Sequence, residues 1–342
     1  MRQLSYYGNR RLCVEDIAPR PLAPGEVRVR VHSTGLCTSD VYGYSGRNDR
    51  RDGVLGDGGV LVMGHEASGT VDELGPGVPG PPLGTPVAVN PIFGCGHCRQ
   101  CRAGRENRCD RRTVLGCAPG APGGYAETMV VPAANVVALR DGISLELGAL
   151  VEPLTVGAHG VGLAALDRTT SVLVIGGGIV GLGAALAARR ATDGEVLVLE
   201  PRAERRALCE RLGLRAAAPE EILAADGAGG FDVALDCVAR PETLAGAVSA
   251  VGSGGLIVLV GIWEDAIPLP VSAVVWHETR IVGSYGYTHA DFAGVAAWVQ
   301  RTGVDLPAAI ERRVGFDAVI GAFEAYADGS LTAVRTLLQP AL

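Results

Sequence analysis

The sequence contains no lysine, so all 30 of its basic residues are arginine. This excludes a lysine Schiff base, a phosphate-loop lysine and a kinase-type lysine. Aromatic residues are scarce, at 5%. No run approaches the roughly 18 consecutive apolar residues that suggest a membrane span. Acidic residues number 37, giving a formal net charge of −7. That balance argues against nucleic acid or an anionic membrane as the main partner. The first eight residues lack the apolar core of a signal peptide, so the cytoplasm is the expected compartment. There, nine cysteines read as thiols, metal ligands or catalytic groups rather than disulfides.

What is present points to two domains. The chain has 342 residues, 48% of them hydrophobic, ample for a packed core. Residues 25–32 alternate apolar and polar with period two, which predicts a half-buried strand. Residues 61–71, 85–90 and 125–131 read the same way, with dense proline and glycine between them. The arginine- and glycine-rich stretch 46–59 is expected to be a mobile surface loop. After about residue 153 the pattern changes to apolar strands alternating with helices: 171–175, a helix to 190, 195–200, a helix to 212, then strands at 231–237 and 255–261. This predicts an α/β, doubly wound parallel sheet. Helices at 292–300 and 316–327 and a strand at 334–338 close the chain.

Three signals carry chemistry. Cys95, Cys98, Cys101 and Cys109 have C-x2-C-x2-C-x7-C spacing. Four thiolates on a short loop form a closed tetrahedral shell suited to a structural zinc. An iron–sulfur cluster is the competing reading, but its fourth cysteine usually follows after three residues and precedes proline; here it precedes Asp110. The second signal is Gly176-Gly177-Gly178-Ile179-Val180-Gly181, placed after an apolar strand and before a helix. In that context G-x-G-x-x-G brings backbone N–H groups to a pyrophosphate. Glu200 ends the next strand, where a carboxylate accepts hydrogen bonds from ribose hydroxyls and favours NAD over NADP. Arg202, Arg205 and Arg206 follow, and keep a 2′-phosphate possible; Arg205 is the first cofactor-contact candidate. The third signal is dispersed: Cys37-Thr38-Ser39-Asp40, Gly64-His65-Glu66 and Glu152-Pro153. Each is poor evidence alone, since a single histidine is more often structural. Together they offer an N/S/O set that leaves one metal position open.

These motifs, in this order over nearly the whole chain, resemble the zinc-dependent medium-chain dehydrogenase/reductase superfamily of alcohol and polyol dehydrogenases. Gly124-Tyr125-Ala126-Glu127 belongs to the same resemblance. It implies a GroES-like β-rich catalytic domain from residues 1–153 and 286–342, with a structural-zinc lobe at about 90–115, and a Rossmann domain at 154–285. It also implies two zinc ions per chain. Cys37, His65 and Glu152 would hold the catalytic one, with Glu66 as an alternate ligand. Asp40 would orient His65, and Ser39 would contact the substrate oxygen. Cys237, Val260 and Gly261 would border the cofactor. Glu152-Pro153 is similar to the sorbitol, butanediol and threonine dehydrogenase branch. Many relatives have a relay histidine two residues after the aspartate, where this sequence has Tyr42. The implied reaction is hydride transfer between NAD(H) and a secondary alcohol or ketone, by a homodimer or homotetramer. An NADP-dependent ketone reductase and a non-catalytic zinc and nucleotide-binding protein are the alternatives. Cys13, Cys117, Cys209 and Cys237 read as small buried or partly buried hydrophobes.

Overall fold

The computed structural model describes residues 1–46, 55, 59–118, 120–223, 230–262 and 266–342. Most of the loop expected at 46–59 therefore lies outside the described residues. The chain divides into two compact units. One comprises Met1–Glu152, Thr288–Thr302 and Ile310–Leu342; the other comprises Pro153–Tyr287 and Gly303–Ala309. The sequence reading assigned residues 303–309 to the first domain, whereas they pack with the second unit.

The first unit is built on a seven-stranded sheet. Its central strand, Glu26–Gly35, pairs antiparallel with Ala67–Leu74, Thr128–Pro132 and Arg335–Leu338. Inward-facing Val27, Val29, Val31, Val71, Val87 and Val131 make one core, as period-two burial requires. The carboxyl-terminal strand Arg335–Leu338 thus returns to the middle of a sheet begun three hundred residues earlier. A second core joins Tyr6, Tyr44, Tyr125 and Phe323. There the Tyr44 and Tyr125 rings each meet Phe323 edge-on at 5.7 Å.

One predicted strand breaks in two. Residues 61–71 form Leu61–Val62 and Ala67–Leu74, with Gly64-His65-Glu66 in the gap. Gly64 has φ +95°, and a Cβ there would lie 2.8 Å from the Tyr125 ring. Only glycine fits that turn, and the turn is what releases His65 and Glu66 from the alternation of a strand.

The second unit holds six parallel strands in the order Arg215–Ala217, Val196–Leu199, Val172–Ile175, Phe231–Asp236, Val251–Leu259 and Arg280–Gly283. Numbered along the chain this is 3-2-1-4-5-6, the Rossmann order. The order reverses between Val172–Ile175 and Phe231–Asp236, so ligands are expected beyond the carboxyl ends of those strands. The inner strands Val172–Ile175 and Val196–Leu199 are buried on both faces, which explains their unbroken apolar runs.

The helix Leu145–Ala164 was not expected from the sequence. Pro153 sits inside it, and glycines recur along it, both poor helix signals. It is long and apolar enough to qualify by length and composition as a membrane span, but two-thirds of that window is buried within the protein. Gly148 packs its backbone against Ser68 and Leu139, and Gly157 packs against Val180 and Ala184. The helix is a core element whose glycines permit close approach.

Candidate active site

Cys37 caps the amino terminus of the helix Thr38–Ser45, its sulfur accepting from Ser39 N–H at 3.4 Å and Ser39 Oγ at 3.2 Å. The same helix carries Asp40, fully buried. Asp40 accepts a 2.6 Å hydrogen bond from Tyr125 Oη and lies 3.6 Å from His65 Nδ1. Burial favours neutral His65, yet Asp40 together with Cys117 and Cys37 outweighs it and holds the imidazole well above its ordinary pKa. Burial and Asp40 push the Tyr125 phenol well up, so it stays a proton donor.

Donor atoms of Cys37, His65 and Glu66 lie within 4.8 Å of one another. Glu66 is 1% exposed and faces Arg335 Nη1 across 2.9 Å. Burial raises its pKa, against the pull of Arg335. Neither Glu66 oxygen completes a hydrogen bond of good geometry. Arg335 Nη1 also donates to Leu36 O at 2.7 Å, next to Cys37. A thiol, an imidazole and a carboxylate with unused oxygens suit a zinc ion. Glu152 is on the helix Leu145–Ala164, 7% exposed, and is not part of this 4.8 Å group. The carboxylate that the structure brings to Cys37 and His65 is Glu66.

The sulfurs of Cys95, Cys98, Cys101 and Cys109 form the second cluster within 4.8 Å. Backbone N–H groups of Cys95 and Cys101 point at Cys109 Sγ and Cys98 Sγ, each at 3.5 Å. The His97 backbone hydrogen bond lowers Cys95 to about 6, while burial pushes Cys101 up to about 11. His97 is taken up by Cys95 O and Arg111, so it is not a fifth donor here.

In the parallel sheet, Gly176 has φ +102°, and a Cβ on Gly181 would meet Gly176 O at 1.8 Å. Gly178 is the amino-terminal cap of the helix Ile179–Ala191, which starts with Ile179 and Val180. Glu200 accepts from Gly177 N–H at 2.9 Å and Arg202 N–H at 3.0 Å. Arg205 stands 3.8 Å from the same carboxylate. At the neighbouring strand end Asp236 accepts from Val238 N–H, Ala239 N–H and Thr243 Oγ1. That fixes the turn beginning at Cys237, whose thiol burial pushes strongly up. Gly261 is needed where a Cβ would strike Ala239 at 2.6 Å, and Val260 lies against Gly160.

Residues 23–141 match the family model of the alcohol dehydrogenase GroES-like domain, and residues 180–301 match that of the zinc-binding dehydrogenases. The chain is 33% identical to 2-dehydro-3-deoxy-L-galactonate 5-dehydrogenase of Pseudoalteromonas atlantica, over 98% of this chain and 97% of that one. The chain belongs to the zinc-dependent medium-chain dehydrogenases. Sorbitol dehydrogenase of Arabidopsis thaliana is 31% identical over 90% of this chain and 87% of its own. A zinc-binding dehydrogenase from Sinorhizobium meliloti, solved with NADP, superposes with TM-score 0.87 at 25% identity, covering 99% of both chains. An Escherichia coli alcohol dehydrogenase solved with NADH gives 0.86 at 27%, again over 99% of both. The dehydrogenase therefore has the fold class, β-rich GroES-like plus Rossmann, that its motifs imply.

Three contacts of this dehydrogenase escaped sequence reasoning. Arg335 carries no motif, and Tyr125 gave no sign of its bond to Asp40. Cys117, expected to be mute, puts its sulfur 3.7 Å from His65 Nδ1. No sequence spacing signals these pairings, because each joins segments distant in the chain.

Proposed function

We propose that this dehydrogenase oxidises a secondary alcohol with a neighbouring oxygen or nitrogen, or reduces the matching ketone, with NAD(H) as hydride carrier. The observation that carries the reading is the meeting of half-buried Cys37 with His65 and buried Glu66 within 4.8 Å. Cys37 and His65 would hold a catalytic zinc, with Glu66 as the carboxylate in this conformation and Glu152 as its exchange partner. Such an ion supplies a Lewis acid for the substrate oxygen. Cys95, Cys98, Cys101 and Cys109 would hold the structural zinc.

The remaining work belongs to side chains. Asp40 orients His65 and is itself held by Tyr125. Ser39 Oγ, beside the Cys37 sulfur, is placed to take the substrate proton. Tyr42 replaces the histidine that ends the relay in many relatives. Proton release is therefore assigned to water or Glu66. Gly176, Gly178 and Gly181, with the N–H groups of Ile179 and Val180, cradle the pyrophosphate. Glu200 selects the unphosphorylated ribose. The arginines at 202, 205 and 206 favour a second reading, NADP-dependent ketone reduction.

The substrate class rests on relatives named for 2-dehydro-3-deoxy-L-galactonate and sorbitol, and takes in polyols, sugars, cyclitols, vicinal diols and amino alcohols. A homodimer or homotetramer is supported by the edge strand Arg280–Gly283 and by exposed Val271, Val275 and Trp276 nearby. Nine free cysteines support a reducing, cytoplasmic setting. Paired assays with NAD and NADP over a polyol and diol panel test the assignment; a strong NADP preference overturns the role given to Glu200.

A further inference from the structure

The middle glycine of the pyrophosphate turn has no place in G-x-G-x-x-G, yet it makes a close contact. A Cβ on Gly177 would lie 3.0 Å from Glu200 Cγ, 3.1 Å from Cβ and 3.1 Å from Oε2. Those separations are tighter than ordinary van der Waals contact, so the acidic side chain lies directly on the turn. Gly177 N–H donates to Glu200 Oε2 at 2.9 Å. The other oxygen, Oε1, accepts from Arg202 N–H at 3.0 Å. Glu200 is 4% exposed. Its own backbone is fixed as well, because its N–H donates to Ala217 O and its carbonyl accepts from Arg206 Nη1 at 2.9 Å. Gly176 N–H donates to Leu199 O, so the turn and the strand end that carries Glu200 are tied at two successive residues.

We infer that Glu200 is a positioning residue for the pyrophosphate turn as well as a ribose contact. Its carboxylate takes one N–H of the turn out of the donor set and fixes Gly177. That leaves Gly178 and the start of the helix Ile179–Ala191 to face the phosphates. A charge-assisted bond to a backbone N–H in a buried setting is of the stronger kind. The turn's shape and the choice of ribose then depend on one side chain. Removing Glu200 to admit a 2′-phosphate also loosens the pyrophosphate site, and Arg205 does not restore it. Arg205 neutralises the carboxylate from 3.8 Å but makes no bond to Gly177 in its place.

The inference rests on the nucleotide reading of this turn, and a ligand without ribose hydroxyls separates the two. ADP and 2′,3′-dideoxy-ADP are titrated calorimetrically into the full-length wild type, Glu200→Gln and Glu200→Ala. A pure ribose contact is worth nothing to the dideoxy ligand, so both variants then bind it as tightly as wild type. A positioning role predicts that Glu200→Ala binds dideoxy-ADP about tenfold more weakly, the worth of one charge-assisted bond. Glu200→Gln, which keeps an oxygen acceptor for Gly177 but not its charge, recovers about half of that loss on the logarithmic scale, which leaves it about threefold weaker than wild type. Equal dideoxy-ADP affinities within twofold overturn the positioning role while ADP binding upholds the site. A wild type that binds neither nucleotide overturns both. Where Glu200→Ala fails to fold, the comparison of wild type with Glu200→Gln decides: Glu200→Gln must weaken ADP more than dideoxy-ADP, and still weaken the latter at least twofold.

Discussion

Arg335, on the returning carboxyl-terminal strand, and Glu66, in the Gly64-His65-Glu66 turn, form an ion pair at 2.9 Å with both side chains nearly excluded from solvent. The same guanidinium holds the carbonyl of Leu36, one residue before Cys37. One buried cation thereby ties together two segments that supply donors to the proposed metal centre.

A buried ion pair is costly to break from one side, because the survivor is left uncompensated. Arg335→Met is expected to lose about 3–5 kcal/mol of stability, measured by denaturant unfolding. Arg335→Met combined with Glu66→Met recovers a large part of that loss. An Arg335→Met protein as stable as wild type contradicts the pairing.

The four-thiol lobe contributes little apolar core, so its order depends on the ion it is proposed to hold. Cys98→Ser is expected to lower the zinc content from two per chain to one and to reduce the thermal midpoint. Elemental analysis of the purified variant checks the first, and a thermal scan the second. Unchanged zinc content excludes the cluster as a site.

Gly181→Ala would place a Cβ 1.8 Å from Gly176 O. The backbone must shift to admit it, at about 1–3 kcal/mol. NAD binding is expected to weaken about tenfold or more, by calorimetry, with zinc content unchanged. Gly178→Ala has nothing within 4 Å of its added Cβ and is the control for stability.

Glu146 links the start of the helix Leu145–Ala164 to Arg313 and Gln339. The hydrogen bonds from Arg313 come first among the causes holding its carboxyl below the ordinary carboxylate range, against partial burial. A folded-state pKa below the unfolded one gives stability that is present above the unfolded value, about 4.3. That stability is lost as pH falls through the folded value. Glu146→Gln is therefore expected to unfold earlier than wild type at pH 7 by about 0.5–1.5 kcal/mol, with the gap closing below about pH 4. A gap that persists unchanged at low pH contradicts the assignment.

Signals that are local in sequence were legible. The four cysteines are neighbours on one loop, and the glycine turn is a six-residue motif between a strand and a helix. The inner parallel strands announce themselves by apolar runs, whereas the partly exposed edge strands Arg215–Ala217 and Arg280–Gly283 carry no such signal. The split of residues 61–71 was hidden because apolar residues flank it on both sides, and the turn shows only in the positive φ of Gly64 and in Tyr125 packed over it. The helix Leu145–Ala164 was hidden by Pro153 and its glycines, whose poor propensity is overridden by close packing. Glu66 rather than Glu152 lies with Cys37 and His65 here, and it pairs with Arg335, which no pattern near residue 66 reveals.

The central claim is zinc-assisted hydride transfer to NAD from a secondary alcohol. Its most direct measurement is NADH formation with a panel of polyols, vicinal diols and amino alcohols, run on the zinc-loaded wild type, the chelated protein and Cys37→Ser. The account predicts NADH with at least one panel member for the zinc-loaded wild type. It predicts loss of that activity on chelation, return on adding zinc, and a fall of at least a hundredfold in Cys37→Ser, about 2.7 kcal/mol of transition-state stabilisation. Full activity in the chelated protein or in Cys37→Ser, or no NADH from any alcohol, would contradict it.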